Sequence, residues 1–193
     1  MAVGKPLRWI LAALGGAAIG AASAWWSTGE GAAARVPGHP AWTTDRGTGS
    51  TDANPWTRAR IARIGLMALN RNEAVYYIAD RDDEGRPLRE HCQYTVQGGA
   101  LPGAWWSLTL YAQDRFLARN TDDAHSVAAT TAQTAAAWQV SVGQQPMDAG
   151  ERLSNRGAGN FTLALRVYRP TQALIDDPHA IALPRVHRQA CRT

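Results

Sequence analysis

From Ala74 to the end of the chain, apolar and polar side chains alternate in short bursts separated by Gly- and Pro-containing turns. Side chains point to opposite faces along a strand, so a period of two reads as a half-buried strand. In WWSLTLYA (105–112), Trp106, Leu108 and Leu110 share one face, while Trp105, Ser107, Thr109 and Tyr111 share the other. AWQVSVG (137–143) sets Trp138, Val140 and Val142 on one side. NFTLALRVY (160–168) turns Phe161, Leu163, Leu165 and Val167 inward and Thr162, Arg166 and Tyr168 outward. AVYYIAD (74–80), the turn RDDEGRP and HCQYTVQ (91–97) read as a hairpin. TQALIDD (171–177) reads as one or two helical turns. Many short, turn-bounded strands predict an all-β fold, a β-sandwich with jelly-roll character.

A helical pattern precedes the strands. Asn54 suits an N-cap and Pro55 the first turn. Over 56–69 a broad arc then collects Ala59, Ile61, Ala62, Ile64, Leu66, Ala68 and Leu69, with Arg60 and Arg63 on the far side. Arg58 falls inside this arc, where a charge should be paired or stand at a functional edge. The expectation is one short helix packed on the sandwich, with Arg58 at the seam.

The first residues follow a different rule. Lys5 and Arg8 precede eighteen uncharged residues from Trp9 to Trp26. As a helix this run spans about 27 Å, close to the hydrocarbon thickness of a bilayer. Trp9 and the Trp25–Trp26 pair bracket it as interfacial anchors do. The positive flank keeps residues 1–8 cytoplasmic and sends the rest across the bacterial inner membrane into the periplasm. The alternative is a cleaved signal peptide with Ala22–Ala24 as its small-residue site. Either reading exports residues 54–193. Residues 27–53, rich in Gly, Ala, Ser and Thr, read as a tether, with Trp42 in a short ordered piece near its end.

Export decides how Cys92 and Cys191 are read: an even pair in an oxidising compartment predicts a disulfide. The net charge of +4 is scattered and Lys5 is the only lysine. No basic stripe or nucleic-acid motif accompanies it, so nucleic-acid binding is not expected.

Six segments, NPWTRARIARIG, DRDDEGRPL, CQYTV, AWWSLTLYAQDRFLARN, FTLALRVYRP and ALPRVHRQAC, occur in an order that resembles domain-of-unknown-function family 1214. The similarity runs over roughly residues 41 to 192 and is most specific in WWSLTLY and LALRVY. In two-domain bacterial proteins the module follows a second uncharacterised domain, family 1254; this chain resembles the stand-alone, membrane-anchored version. The resemblance implies a β-sandwich and no established activity. One departure is ERLSN at 151–155, where the family carries a Trp-containing NWLP-like segment.

Candidate chemistries are thin. Asp80, Asp82, Glu84 and Gly85 match the first positions of a calcium loop, but position twelve is His91, and an acidic turn is the simpler reading. His91, Cys92, His187 and Cys191 suggest zinc, yet neighbouring strand residues face apart and the disulfide uses the same sulfurs. His125 lies in a polar loop beside Asp122 and Asp123, and GAG (157–159) precedes a strand, so it is a turn. No catalytic residue, metal or cofactor is nominated. What remains is an outward face carrying Trp105, Ser107, Thr109, Tyr111, Arg166 and Tyr168: either it is covered by the 55–69 helix or another sheet, so that its aromatics simply pack, or it stands open as a platform suited to a sugar or a partner surface. The expectation is a non-catalytic envelope module that binds a partner protein, the counterpart of the missing first domain. The alternative is an envelope enzyme or carbohydrate binder using the aromatic face.

Overall fold

The computed structural model describes residues 5–28, 34–63, 68–130, 137–145 and 151–192. Helix α1 (Lys5–Ser27) is followed by β1 (Ala34–Val36), β2 (His39–Thr44), α2 (Pro55–Arg63), β3 (Ala74–Ala79), β4 (Cys92–Gly99) and β5 (Gly103–Tyr111). Then come β6 (Ser126–Ala128), β7 (Ala137–Val142), β8 (Glu151–Leu153), β9 (Thr162–Pro170), α3 (Gln172–Asp176) and β10 (Arg185–Cys191). Helix α1 is long and apolar enough to cross a membrane, and none of that stretch is buried against the domain.

The strands form a six-stranded sheet, β1-β2-β3-β9-β5-β6, and a four-stranded sheet, β10-β4-β7-β8. All pairs are antiparallel except β7 with β8. Alternation does what the sequence predicts. Trp106, Leu108 and Leu110 of β5 point into the space between the sheets, as do Leu163, Leu165 and Val167 of β9 and Trp138, Val140 and Val142 of β7. Trp106 and Trp138 stack across that space with ring centroids 4.3 Å apart, which joins one sheet to the other. Gly98 makes room for this stack: a Cβ there would lie 2.3 Å from the Trp138 ring.

Three expectations need correction. First, residues 34–44 are not tether. β2 pairs with β3, and Trp42 is fully buried with its ring N–H donating to the Pro184 carbonyl at 2.6 Å. Strands of three and six residues, broken by a Pro-Gly turn, leave too little alternation to read. Second, β3 and β4 are not a hairpin; they belong to different sheets. The loop between them closes on Asp82, 1% exposed, whose Oδ1 accepts the N–H groups of Glu84 and Arg86 while Oδ2 pairs with Arg86 at 3.0 Å and Arg188 at 2.9 Å. A carboxylate held this way is a structural post, with its oxygens committed to protein donors rather than a calcium ion.

Third, α2 turns a different side to the protein. Arg60 is its buried residue, ion-paired with Asp45, whereas Arg58 is exposed and donates to the carbonyls of Thr51 and Ala53, both at 2.8 Å. The helix covers a polar hollow and not the apolar core, so hydrophobic periodicity misjudged its inner side. Ile64 and Leu66 of the expected arc lie outside the described residues.

Cys92 and Cys191 are disulfide-bonded, fastening β10 to β4. Near the other end of β10, the His39 ring Nε2 accepts the Leu183 N–H at 3.3 Å. Burial first, then the Arg185 charge, pulls this imidazole below its ordinary value of 6.5, against an opposing pull from Asp83. The unfolded chain therefore protonates His39 more readily than the folded one. The histidine contributes stability above its unfolded value, lost as pH falls through the lowered folded value. Thermal melts from about pH 7 to about pH 5 should drop more steeply for the wild type than for His39→Gln, which keeps an acceptor but does not titrate. Parallel melting curves would remove His39 from the acid response.

Candidate functional site

The outer face of the six-stranded sheet is built by pairing β5 with β9 in register: Trp105 opposite Tyr168, Ser107 opposite Arg166, Thr109 opposite Ala164 and Tyr111 opposite Thr162. β3 adds Tyr76 opposite Arg166 and Ile78 opposite Ala164, and β2 adds Thr43 beside Ile78. Small side chains at the middle of this face, Ala164, Thr162 and Thr43, leave the sheet surface low. Longer ones rise around it: Arg60 from α2, Arg81 and Pro87 from the loop after β3, and Gln113 and Arg115 from the turn after β5. The result is a cavity of about 550 Å³.

Arg166 stands on its floor. Its Nη2 donates to the Tyr111 hydroxyl at 2.7 Å and its Nη1 to the Thr109 hydroxyl at 3.2 Å. The guanidinium also lies 5.5 Å from the Tyr111 ring centroid and 5.9 Å from that of Tyr76. Tyr76 is itself fixed, its hydroxyl accepting the Leu69 N–H at 2.8 Å. Burial raises the Tyr76 phenol above its ordinary value despite that bond and the Arg166 charge, so it stays neutral. Among the described residues no carboxylate pairs with Arg166. Its charge is held by neutral hydroxyls and ring faces, which leaves part of its donor fork for a guest.

The other charges are differently placed. Arg60 meets Asp45, and burial lowers its guanidinium, which nonetheless remains charged. Asp80, the one carboxylate in the lining, is shared by Arg81 at 3.7 Å and Arg35 at 3.4 Å. Of the four lining arginines, Arg60 is paired with Asp45 and Arg81 with Asp80, which leaves Arg166 as the cation on the floor held by hydroxyls and rings. Asn160, Gln113, Thr43 and Thr162 add hydrogen-bonding groups. Such a lining offers donors to which negative charge and hydroxyl groups are complementary.

The residues predicted from sequence divide. Arg166 and Tyr111 line the cavity, Thr109 orients Arg166, and Ser107 lies buried beside it in the register. Trp105 and Tyr168 pack on each other at 5.0 Å, farther along the face and outside the cavity, which is what the outward tryptophan of the WW pair does. Arg58 takes no part. Sequence reasoning missed Arg60, Arg81, Gln113, Arg115 and Asn160. The QDRF turn directly after WWSLTLYA was the available signal for two of them, since residues flanking a strand on a polar face share its rim.

Elsewhere, the His91, Cys92 and Cys191 ligand atoms lie within 4.8 Å of one another, but the two sulfurs are bonded to each other and so are not thiolates. Asp122 accepts from Ser154 at 2.6 Å and pairs with Arg156 at 3.3 Å; these partners, the Ser154 bond first, hold its carboxyl below the usual range. In ERLSN, the departure from the family pattern, Ser154 makes that bond and buried Asn155 donates to the Cys92 carbonyl at 2.9 Å.

Comparison with known proteins bears on the fold. The family described as "Protein of unknown function (DUF1214)" matches residues 73–172. The VPA0106 protein from Vibrio parahaemolyticus is similar in structure, with a TM-score of 0.58 at 21% identity over 72% of this chain and 36% of that one. An uncharacterized protein from Burkholderia cenocepacia aligns with a TM-score of 0.47 at 14% identity, over 62% of this chain and 30% of that one. No curated protein matches the chain.

Proposed function

The chain belongs to the DUF1214 family, whose function is unknown, and from its own site we propose that it is a membrane-tethered binding module for a small anionic, hydroxyl-bearing molecule. The carrying observation is Arg166: a half-buried guanidinium on the floor of a 550 Å³ cavity, without a carboxylate partner among the described residues. A half-buried guanidinium held by hydroxyls and rings alone keeps donors free for an anionic guest, and the shelter of the cavity strengthens that pairing over one in open water. The guest's negative group meets the Arg166 fork beside Tyr111. Its hydroxyls meet Asn160, Gln113 and the threonines. Among the described residues the lining supplies cations, neutral donors and Asp80, which Arg35 and Arg81 share, and no nucleophile–base pair, so the reading is capture and not turnover.

Helix α1 is the tether. Lys5 and Arg8 on its N-terminal flank keep that end in the cytoplasm, so the domain lies in the periplasm, where the Cys92–Cys191 disulfide is at home.

The test is calorimetric titration of the full chain in nanodiscs of zwitterionic lipid with glucuronate, glycerol phosphate and inorganic phosphate, against neutral glucose. Saturable binding confined to the anions supports the reading. Equal heats for glucose and all three anions would end it.

A second reading, a protein partner on the same face, is favoured by one observation: the chain covers only 36% of the Vibrio parahaemolyticus protein, where this fold has further polypeptide in the same chain. Cross-linking in native membranes decides it. One stoichiometric partner, lost with Trp105→Ala, supports assembly; recovery of the protein alone rejects it.

A further inference from the structure

The cavity rim and the tether meet. At the C-terminal end of α1, the Arg63 guanidinium lies 4.0 Å over the Trp25 ring and donates to the Trp25 carbonyl at 3.3 Å and the Thr28 hydroxyl at 3.2 Å. The Arg63 carbonyl in turn accepts from Arg115 at 3.4 Å. Arg115 and Gln113 line the cavity and belong to a tight turn closed by the Ala112 N–H on the Phe116 carbonyl at 2.8 Å and by the bridge between Tyr111 and Leu117. Within that turn Arg115 takes a left-handed conformation, φ 68°, which residues with a side chain rarely adopt. Beyond it Phe116 and Leu117 stand in solvent, 67% and 46% exposed.

An aromatic and an aliphatic side chain displayed at a turn tip suit the boundary between headgroups and acyl chains; Arg115 flanks them in the chain, and the turn's one carboxylate, Asp114, is paired with Arg119 at 3.5 Å. Trp25 and Trp26, exposed at the end of α1, are side chains of the kind that mark that boundary, and Trp25 is joined to the turn through Arg63 and Arg115. The contacts run without a break from Trp25 through Arg63 and Arg115 to the cavity.

We infer that the 112–117 turn is a second membrane contact, and that it holds the cavity mouth at the bilayer surface so that the guest is the headgroup of an anionic phospholipid. This rests on the anion-site reading above and on α1 spanning the membrane. The phosphate takes the Arg166 fork and the glycerol hydroxyls take the polar rim, while the acyl chains stay in the leaflet beside Phe116 and Leu117. A lipid needs no desorption to reach such a site.

The experiment uses the full chain in nanodiscs containing phosphatidylglycerol, with a spin label on Phe116→Cys and, as control, on Gln139→Cys on the opposite sheet. Cys92 and Cys191 are already bonded and do not take the label. Depth is read from accessibility to oxygen relative to a water-soluble nickel chelate. The label at 116 should show a severalfold higher ratio than the label at 139. Native mass spectrometry of the same particles should show phosphatidylglycerol retained by the wild type and lost with Arg166→Gln. Free glycerol phosphate at the same headgroup concentration should be the weaker guest. If the label at 116 is as open to the chelate as the control, or if free glycerol phosphate binds as well as the lipid, the membrane inference fails while the anion site stands. If Arg166→Gln alters neither lipid nor free-anion binding, both fail.

Discussion

Replacing Arg166 by glutamine is expected to weaken binding of the anionic guest on the order of ten- to a hundredfold, with little change in thermal stability. A hydrogen bond to a charged group contributes about 1.5–3 kcal/mol, and each 1.4 kcal/mol is a factor of about ten in affinity. Stability is spared because Arg166 has no carboxylate partner among the described residues, so its removal leaves no buried anion behind. Glutamine still reaches toward the hydroxyls of Thr109 and Tyr111. Two neighbours sharpen the reading. Arg166→Lys keeps the charge but loses the planar fork, and should fall between wild type and glutamine. Thr109→Val removes one bond that orients the guanidinium, so it should cost a few-fold only. Titration calorimetry of the four proteins in zwitterionic nanodiscs gives the order directly. Equal affinity for wild type and glutamine variant would remove Arg166 from the site.

The second large effect concerns the staple on the last strand. The disulfide joins residues 99 apart in sequence, and closing a loop of about that length stabilises the fold by about 4–5 kcal/mol in the chain-entropy account. The double variant Cys92→Ala with Cys191→Ala should therefore melt roughly 10–20 °C lower, given about 2–4 °C per kcal/mol for a domain of this size. The loss should act through β10, whose exposed outer edge has only β4 as a neighbouring strand. Amides of 185–191 are then expected to exchange with solvent faster than those of β5 and β9, which sit inside the six-stranded sheet. An unchanged melting temperature would mean that the Asp82–Arg188 pair and the Trp42–Pro184 bond hold the tail without the cysteines.

How far the sequence was legible follows from how local each cause is. The faces of β5 and β9 obey a period of two, so Trp106, Leu108 and Leu165 inside and Thr109, Tyr111 and Arg166 outside were readable, as was the disulfide from an even pair of cysteines behind an apolar N-terminal helix. The corrected features each depend on a distant partner. Arg60 is buried because Asp45 comes from the turn after β2; periodicity alone put it outside. The loop after β3 crosses to the other sheet around Asp82, whose partner Arg188 is on the final strand. Trp42 belongs to the core because the Pro184 carbonyl accepts its ring N–H from 142 residues away. The cavity itself combines four strands, a helix and two turns. No single stretch of sequence could announce it, although its central arginine was singled out.

The account turns on whether Arg166 receives an anion. The most direct measurement is the side-chain Nε–Hε resonance of Arg166 in the full chain, labelled with ¹⁵N-arginine in uncharged micelles and identified by its loss in Arg166→Gln. Titration with glycerol phosphate should move this resonance saturably, with Arg115 and Arg81 following and Arg58, outside the cavity, unmoved. An Arg166 resonance that stays fixed up to saturating concentrations of glycerol phosphate, phosphate and glucuronate would contradict the account.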